Sequence, residues 1–136
     1  MADFGFAGWS AYADAVVDLE LSGRTVTLGR EGVVAGDPWT SAGSLYVITA
    51  YNPGREASSE ENASAQARLL GLLAERGITW LPAVGRSRDA SWREPSVALE
   101  VPEATAIAIA DEFQQDAVFA WDGVCLRVIA CHGGEN

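Results

Sequence analysis

Residues 117–130 read Ala-Val-Phe-Ala-Trp-Asp-Gly-Val-Cys-Leu-Arg-Val-Ile-Ala, and this stretch decides the fold class of the chain. Two runs rich in β-branched and aromatic residues, 117–121 and 124–130, flank the pair Asp122-Gly123. An Asp-Gly pair between two apolar runs is a strong hairpin signal, because both central residues of a type I′ turn need positive φ. We therefore predict a C-terminal β-hairpin with a tight two-residue turn.

A second hairpin is predicted near the N-terminus. In residues 15–28, apolar and polar side chains alternate on both sides of Ser22-Gly23, which is the period of half-buried strands joined by a turn. Residues 29–44 are rich in turn formers and are predicted to form a loop. The run that follows, 44–50, is nearly continuously apolar, which is typical of a central strand buried on both faces.

Two helices are predicted between the strands. Ser58 and Glu61 have the spacing of a capping box, so the first helix is expected to run from this point to about Arg76, with Gly77 as its stop. Pro102 opens the second helix, where its missing N–H costs nothing. An apolar stripe at helical spacing follows, made of Ala106, Ile109, Ala110 and Phe113.

The predicted order of elements is ββ-β-α-ββ-α-ββ. The strand pair between the two helices comprises residues 78–84 and 96–101. Hairpins dominate, and the helices are too few for a doubly wound sheet. We predict an α+β fold, a mostly antiparallel sheet built from hairpins with two helices on one face. The 136 residues fit a single domain spanning 1–136, with terminal tails at 1–9 and 131–136.

The balance of charged residues limits the classes of partner that the chain is expected to bind. Nine arginines and no lysines stand against 19 acidic residues, a formal net charge of −10. A chain that binds a nucleic-acid backbone needs a basic face, so we expect no such binding. The charge is compatible with a basic protein partner. No apolar run approaches the roughly 20 residues that span a bilayer, and the N-terminus lacks the features of a signal peptide. We expect a cytoplasmic protein that does not bind membranes.

Several catalytic classes are excluded by what the sequence lacks. The one histidine, His132, lies in a Gly-rich tail, which leaves no partner for a Ser-His-Asp or Cys-His arrangement. The phosphate-binding and HExxH motifs are also absent. No second Cys/His cluster completes a metal site with Cys131-His132. We predict no metal and no cofactor.

Polar residues gather at three junctions between strands and helices, where a rigid scaffold usually carries site residues. One lies after the central strand, one before the strand at 96–101, and one after the second helix. The residues at these junctions are Thr49, Asn52, Arg55, Glu94, Ser96 and Gln115.

Each of these junctions also has a purely structural interpretation. Thr49 suits a strand, and Asn52 before a proline is an ordinary turn residue. Glu94 fits a rim acid paired with Arg93 or Arg86, and Gln115 fits a side chain that satisfies buried backbone.

Five motifs occur in the order Thr49-Ala-Tyr-Asn-Pro53, Glu61-Asn62, Pro82-Ala-Val-Gly85, Trp92-Arg-Glu-Pro-Ser96 and Phe113-x-Gln115-x-Ala-Val-Phe119. Together they resemble the bacterial family catalogued as domain of unknown function 3293, over about residues 10–130. The resemblance implies no activity, ligand or cofactor. It marks a polar signature of Thr49, Asn52, Asn62, Gly85, Glu94, Ser96 and Gln115.

The inventory of amides, hydroxyls, arginines and one acid predicts a pocket for a small polar ligand, such as a nucleoside, a phosphate or a sugar. Asn52, Glu94 and Gln115 are expected around one cleft. If the chain has a catalytic activity, Glu94 is the general acid or base. The alternative is an acidic interaction module, an antitoxin, immunity protein or nucleic-acid mimic that uses its negative charge against a basic partner.

A further hypothesis concerns an anion site at the start of the first helix. The unpaired N–H groups and the helix dipole favour an anion there, and Arg55 would add a full charge. Glu56, Glu60 and Glu61 would repel it unless they point away.

Overall fold

The computed structural model describes residues 14–36, 44–51 and 58–131, which form one eight-stranded sheet and two helices. The strands are β1 (Val16–Leu21), β2 (Arg24–Gly29), β3 (Gly32–Ala35), β4 (Leu45–Ile48), β5 (Trp80–Arg86), β6 (Arg93–Leu99), β7 (Ala117–Trp121) and β8 (Leu126–Ala130). The helices are α1 (Ser59–Glu75) and α2 (Glu103–Glu112). The strand order is β3-β2-β1-β5-β6-β4-β7-β8, and all neighbouring strands are antiparallel. The predicted α+β class is confirmed.

One strand, β3, lies within residues 29–44, which were predicted to be a loop. It has only four residues, begins at a glycine, and within the described part of the chain pairs with β2 alone, where the register shifts between Thr27 and Leu28. An edge strand this short shows no alternation long enough for a sequence pattern to detect.

The C-terminal hairpin is confirmed, but its turn is longer than predicted. The last ladder pair before the turn joins Trp121 to Leu126, which leaves four residues in the loop. The side chain of Asp122 organises this loop, because its Oδ1 accepts hydrogen bonds from the N–H groups of Val124 and Cys125, both at 2.8 Å. Aspartate commonly stabilises turns in this way. The prediction of a two-residue turn is therefore wrong, whereas the prediction of a hairpin is confirmed.

Helix α1 begins and ends as the sequence predicts. Glu61 donates its N–H to Ser58 Oγ at 3.1 Å, and Ser58 donates its N–H to Glu61 Oε1 at 3.0 Å, which completes the capping box. At the other end Gly77 adopts a φ of 68°, and the N–H of Ile78 bonds the carbonyl of Leu73. A left-handed residue after the last turn is the common way to end a helix, and glycine adopts it without strain.

Helix α2 also ends at a residue in the left-handed conformation, but this residue is a glutamine and not a glycine. The N–H of Gln114 bonds the carbonyl of Asp111, and the N–H of Gln115 bonds that of Ala110. The left-handed position is Gln114, with a φ of 58°. A residue with a Cβ is strained in this region, so the end of α2 has a conformational cost that the end of α1 lacks.

We expect Gln114→Gly to raise the free energy of unfolding by about 0.5–1 kcal/mol, since it removes this strain while keeping the backbone bonds. Gly77→Ala is the matched reverse change. It should lower stability by about 1 kcal/mol, because a Cβ there meets no atom within 4 Å and only the φ penalty acts. Urea denaturation measures both variants, and a loss of stability in Gln114→Gly would contradict the assignment.

Both helices pack on one face of the sheet, as predicted. Their buried residues, among them Leu69, Leu73 and Ile109, form one apolar cluster with Ile48 and Val97 of the sheet. Neither helix of the described residues has the length and apolarity needed to cross a membrane.

The opposite face of the sheet is concave, because the sheet curls until its two ends approach each other. In a flat sheet, strand spacings of about 4.8 Å would hold β3 and the β7–β8 turn about 30 Å apart. A Cβ placed on Gly32 of β3 would instead lie 3.3 Å from the carbonyl oxygen of Val124. Apolar side chains from both ends, including Leu28 and Trp121, belong to one cluster on this concave face. The sheet therefore has a core on each side.

Candidate functional site

Several of the predicted polar residues, among them Thr49 and Gln115, lie at the C-terminal end of β4. The ladder between β4 and β6 ends at Ile48 and Val97, two residues before it would reach Pro95, which has no N–H to donate. The hydroxyl of Thr49 donates to the carbonyl of Pro95 at 2.8 Å, and the N–H of Tyr51 donates to the same hydroxyl at 3.0 Å. Thr49 thus fixes the direction in which the chain leaves the sheet.

Two glutamines hold the next backbone groups. Gln66 of α1 accepts the N–H of Ala50 at 3.2 Å. The side-chain amide of Gln115 donates to the carbonyl of Tyr51 at 3.0 Å and to that of Phe113 at 3.2 Å. Segment 49–51 is therefore positioned by side chains from the sheet, from α1 and from the end of α2.

Buried polar side chains are concentrated at this point. Asn62 lies one turn before Gln66, on the same face of α1, and is 7% exposed. Ser96 is 8% exposed, and its hydroxyl donates to the carbonyl of Glu94 at 2.9 Å. Burying a polar group costs free energy unless it is hydrogen-bonded, so a core grouping of this kind requires specific partners. We refer to Thr49, Asn62, Gln66, Glu94, Ser96 and Gln115 as the polar cluster.

Glu94 brings a carboxylate to the concave face at this end. It is half-buried, lies opposite Gly85 of β5, and shares its face of β6 with Ser96, two residues on. A Cβ on Gly85 would lie 3.4 Å from the ring of Phe119 and 3.9 Å from Ser96 Oγ. Both distances are ordinary van der Waals contacts, so the ring of Phe119 and the hydroxyl of Ser96 lie against Gly85 on the concave face.

The structure thus brings together four of the predicted residues directly. Thr49 reaches β6 between Glu94 and Ser96, and Gln115 joins them through Tyr51. Asn62 lies on the helix face that supplies Gln66. Asn52 and Arg55 lie outside the described residues, as does part of the predicted anion site at the start of α1, so the cleft of Asn52, Glu94 and Gln115 stays a prediction.

Gln66 is a member of the cluster that the sequence analysis did not single out. Its position one helical turn after Asn62, on the stripe that faces the sheet, is the signal that identifies it.

Arg86, one of the two arginines expected as partners for Glu94, bonds another acid. Arg86 points to the opposite face and bonds Asp18, with Nε at 2.7 Å from Oδ2, and Thr27 donates to the same carboxylate. Burial raises the pKa of Asp18, but the hydrogen bonds from Arg86 and Thr27 outweigh it, so the pKa is lowered overall. This group stabilises the ionised carboxylate and belongs to the packing of β1, β2 and β5.

A second ion-pair network joins the loop after β5 to the β2–β3 turn. Arg88 contacts Glu31 at 2.7 Å and Asp14 at 3.3 Å. The hydrogen bond from Arg88 lowers the pKa of Glu31 to about 2. These exposed groups connect neighbouring turns.

The potential metal ligands of the described residues are dispersed, and the Cys131 thiol is half-buried. Residues 14–36, 44–51 and 58–131 contain no group of three potential metal ligands. Burial raises the pKa of the Cys131 thiol to about 11, so it is protonated at neutral pH and is a poor nucleophile. Within the polar cluster, the carboxyl group of Glu94 is the side chain whose chemistry allows general acid or base behaviour.

The fold and the cluster define an α+β protein with a polar site at the end of a buried strand. Residues 48–118 match the family described as Protein of unknown function (DUF3293), just over half of the chain. The chain belongs to this family. No curated protein and no solved structure matches it significantly. Every candidate site residue named from the sequence lies within the matched range, which is narrower than the expected 10–130.

Proposed function

We propose that the protein binds a small, neutral, hydroxyl-bearing ligand, a sugar or a nucleoside, at the polar cluster. One observation carries the proposal. Among the described residues four polar side chains are buried, and three of them, Asn62, Ser96 and Gln115, belong to this cluster. Ser96 lies on the concave face with the half-buried carboxylate of Glu94, and Asn62 and Gln115 approach the end of β4 from the helix side. A fold that needed only apolar packing would not concentrate buried polar side chains around the end of one strand.

The chemistry of the cluster favours hydroxyls over phosphate. The carboxylate of Glu94 accepts hydrogen bonds from hydroxyl and amine groups, and repels anions. The net charge of −10 acts in the same direction on any approaching anion. The ring of Phe119, on the same face, offers an apolar surface for a sugar ring or a base. A phosphate would depend on Arg55, which lies outside the described residues.

Any turnover at this site would use Glu94. It is the group able to take or give a proton to a bound hydroxyl, whereas the hydroxyl and amide side chains of the cluster can only orient the ligand. The proposal is therefore binding first, with acid–base chemistry assigned to this one residue if a reaction is found. The cytoplasmic location expected from the sequence is part of the proposal.

The distribution of charge gives less support to the acidic interaction module. Four acids, on different parts of the described chain, each form an ion pair with an arginine: Asp14, Asp18, Glu31 and Glu112. These pairs interrupt the negative surface that a basic partner would need.

A thermal-shift screen tests the proposed ligand class. Monosaccharides, nucleosides and inorganic phosphate are compared with the wild-type protein and with Glu94→Gln. A ligand at 100 times its dissociation constant stabilises the folded state by about 2.7 kcal/mol, which raises the melting temperature by about 8 °C in a chain of this size. We expect this shift with a sugar or nucleoside, and its loss in Glu94→Gln.

Glu75→Gln is the control, because it removes the same charge from an exposed position at the end of α1. It should bind like the wild type. Stabilisation by phosphate alone, or equal stabilisation of Glu94→Gln, would contradict the proposal.

A further inference from the structure

Trp92 lies directly before β6, close to the carboxylate of the polar cluster. The N–H of Ser87 donates to the carbonyl of Trp92, and the N–H of Trp92 donates to Ser87 Oγ, both at 3.2 Å. These bonds extend the pairing of β5 and β6 by one residue pair beyond Arg86 and Arg93. Because side chains alternate along paired strands, Trp92 lies on the concave face of the sheet with Glu94, two residues further on.

The indole of Trp92 lies outside both cores of the sheet. It is half-buried, yet it belongs to neither of the two apolar clusters formed by the described residues. Phe119, the other aromatic residue near Glu94, packs against the cluster on the concave face and contacts Gly85. Trp92 therefore presents part of an aromatic ring on which the ring of a ligand can stack.

The polar groups on this face of the sheet accept hydrogen bonds. The ionised carboxylate of Glu94 is an acceptor only. The hydroxyl of Ser96 uses its proton in the bond to the carbonyl of Glu94, so towards a ligand it is an acceptor as well. A ligand that binds here has to present donors. The hydroxyls of a sugar supply donors around the whole ring, whereas the edge of a nucleobase combines donors with acceptors.

The spacing of the aromatic ring and the carboxylate fits a sugar. Alternate residues of a strand are about 7 Å apart, so a six-membered sugar ring stacked on Trp92 brings its hydroxyls within reach of Glu94. The face of an indole is negative, and the C–H groups on one face of a sugar ring carry the partial positive charge that it attracts. The two contacts together require a ligand with an apolar face and a polar edge.

We propose that the ligand of the polar cluster is a neutral monosaccharide, whose ring stacks on Trp92 and whose hydroxyls bind Glu94. This inference rests on the proposed function and narrows its ligand class to sugars. Trp92 is the residue that determines this specificity. The carboxylate of Glu94 alone does not distinguish a sugar from a nucleoside, because both ligands carry hydroxyls.

Titration of glucose, galactose, mannose, adenosine and uridine into isotope-labelled full-length protein tests the inference by NMR. We expect at least one of the sugars to cause saturating shifts of the Trp92 indole N–H and of the Ser96 amide. Neither nucleoside should do so. Saturation transfer from the protein should be strongest to the C–H protons on one face of the bound sugar.

Three variants separate stacking from a general loss of structure. Trp92→Leu should weaken sugar binding about tenfold, whereas Trp92→Phe keeps an aromatic face and should retain the affinity within about threefold. Trp80→Leu is the matched control and should bind like the wild type, because Trp80 pairs with Leu99 on the face that the helices cover. Unchanged amide shifts away from the cluster verify that each variant is folded.

Three results would overturn the inference and leave the proposed function standing. The first is a nucleoside that shifts the cluster amides when none of the sugars does. The second is a bound sugar that leaves the Trp92 indole N–H unmoved, and the third is an unaltered sugar affinity in Trp92→Leu. Flat shifts at the amides of Tyr51, Ser96 and Gln115 with all of these compounds would overturn both proposals.

Discussion

Leu19→Ala is expected to lower the free energy of unfolding by about 3 kcal/mol, as for other fully buried leucines. Leu19 is 0% exposed and lies on the concave face of β1, between Val26 of β2 and Ala83 of β5. This large effect arises because the curled sheet encloses the side chain, although neither helix packs on this face. Urea denaturation at neutral pH gives the measurement.

Leu21→Ala provides the matched control on the same strand and face. Leu21 is half-buried at the strand end, so its truncation should cost about 1 kcal/mol. Leu69→Ala, in the core beneath the helices, should cost about as much as Leu19→Ala. A loss below about 1 kcal/mol in Leu19→Ala would show that the concave face is open, and would contradict the curled sheet.

Asp18→Ala is expected to lower the free energy of unfolding by about 2 kcal/mol at neutral pH. Asp18 points to the opposite face of the sheet from its neighbour Leu19. Its removal leaves the guanidinium of Arg86, 19% exposed, without its carboxylate, and also removes the acceptor for Thr27. Breaking a fully buried pair costs about 3–5 kcal/mol, and the remaining solvent access at this pair reduces that figure. The double variant Asp18→Ala/Arg86→Ala should be less destabilised than the sum of the single changes.

The pH dependence of this effect has a definite sign. The pKa of Asp18 is lowered in the folded state, so its stabilising contribution is present above the unfolded pKa of about 3.9. The contribution disappears as the pH falls through the lower pKa of the folded state. The stability difference between wild type and Asp18→Ala should therefore shrink in acid. A difference that stays constant down to about pH 2 would contradict the ion pair.

Local signals in the sequence predicted most of the fold. The alternation around Ser22-Gly23, the capping box of Ser58 and Glu61, and the stripe of α2 each depend on residues close in the chain, and each is confirmed. The curl of the sheet could not be predicted in this way. It depends on the approach of Gly32 to Val124, two residues far apart in sequence whose meeting is set by the strand order.

The polar cluster was predictable in part for the same reason. Thr49, Glu94 and Gln115 stood out because they lie at ends of strands and helices, where polar residues are easily noticed. Gln66 did not, because it sits within an ordinary helix and its role appears only once α1 is placed against Ala50.

The hydrogen bonds of Thr49 and Gln115 are compatible with a structural role and with a role in positioning a site. Both side chains hold the backbone of segment 49–51, as their structural interpretation predicts. Such bonds would also position a rigid site at the end of β4, and second-layer residues of this kind are common where a ligand must be held in one orientation.

The most direct test of the polar cluster as a ligand site is an NMR titration with a panel of monosaccharides and nucleosides. The amides of Tyr51, Ser96 and Gln115 report on the cluster, and those of β2 and β3 serve as an internal reference. We predict saturating shifts confined to the cluster for at least one compound, lost in Glu94→Gln and kept in Glu75→Gln. An absence of saturating shifts at these three amides across the whole panel would contradict the proposed site.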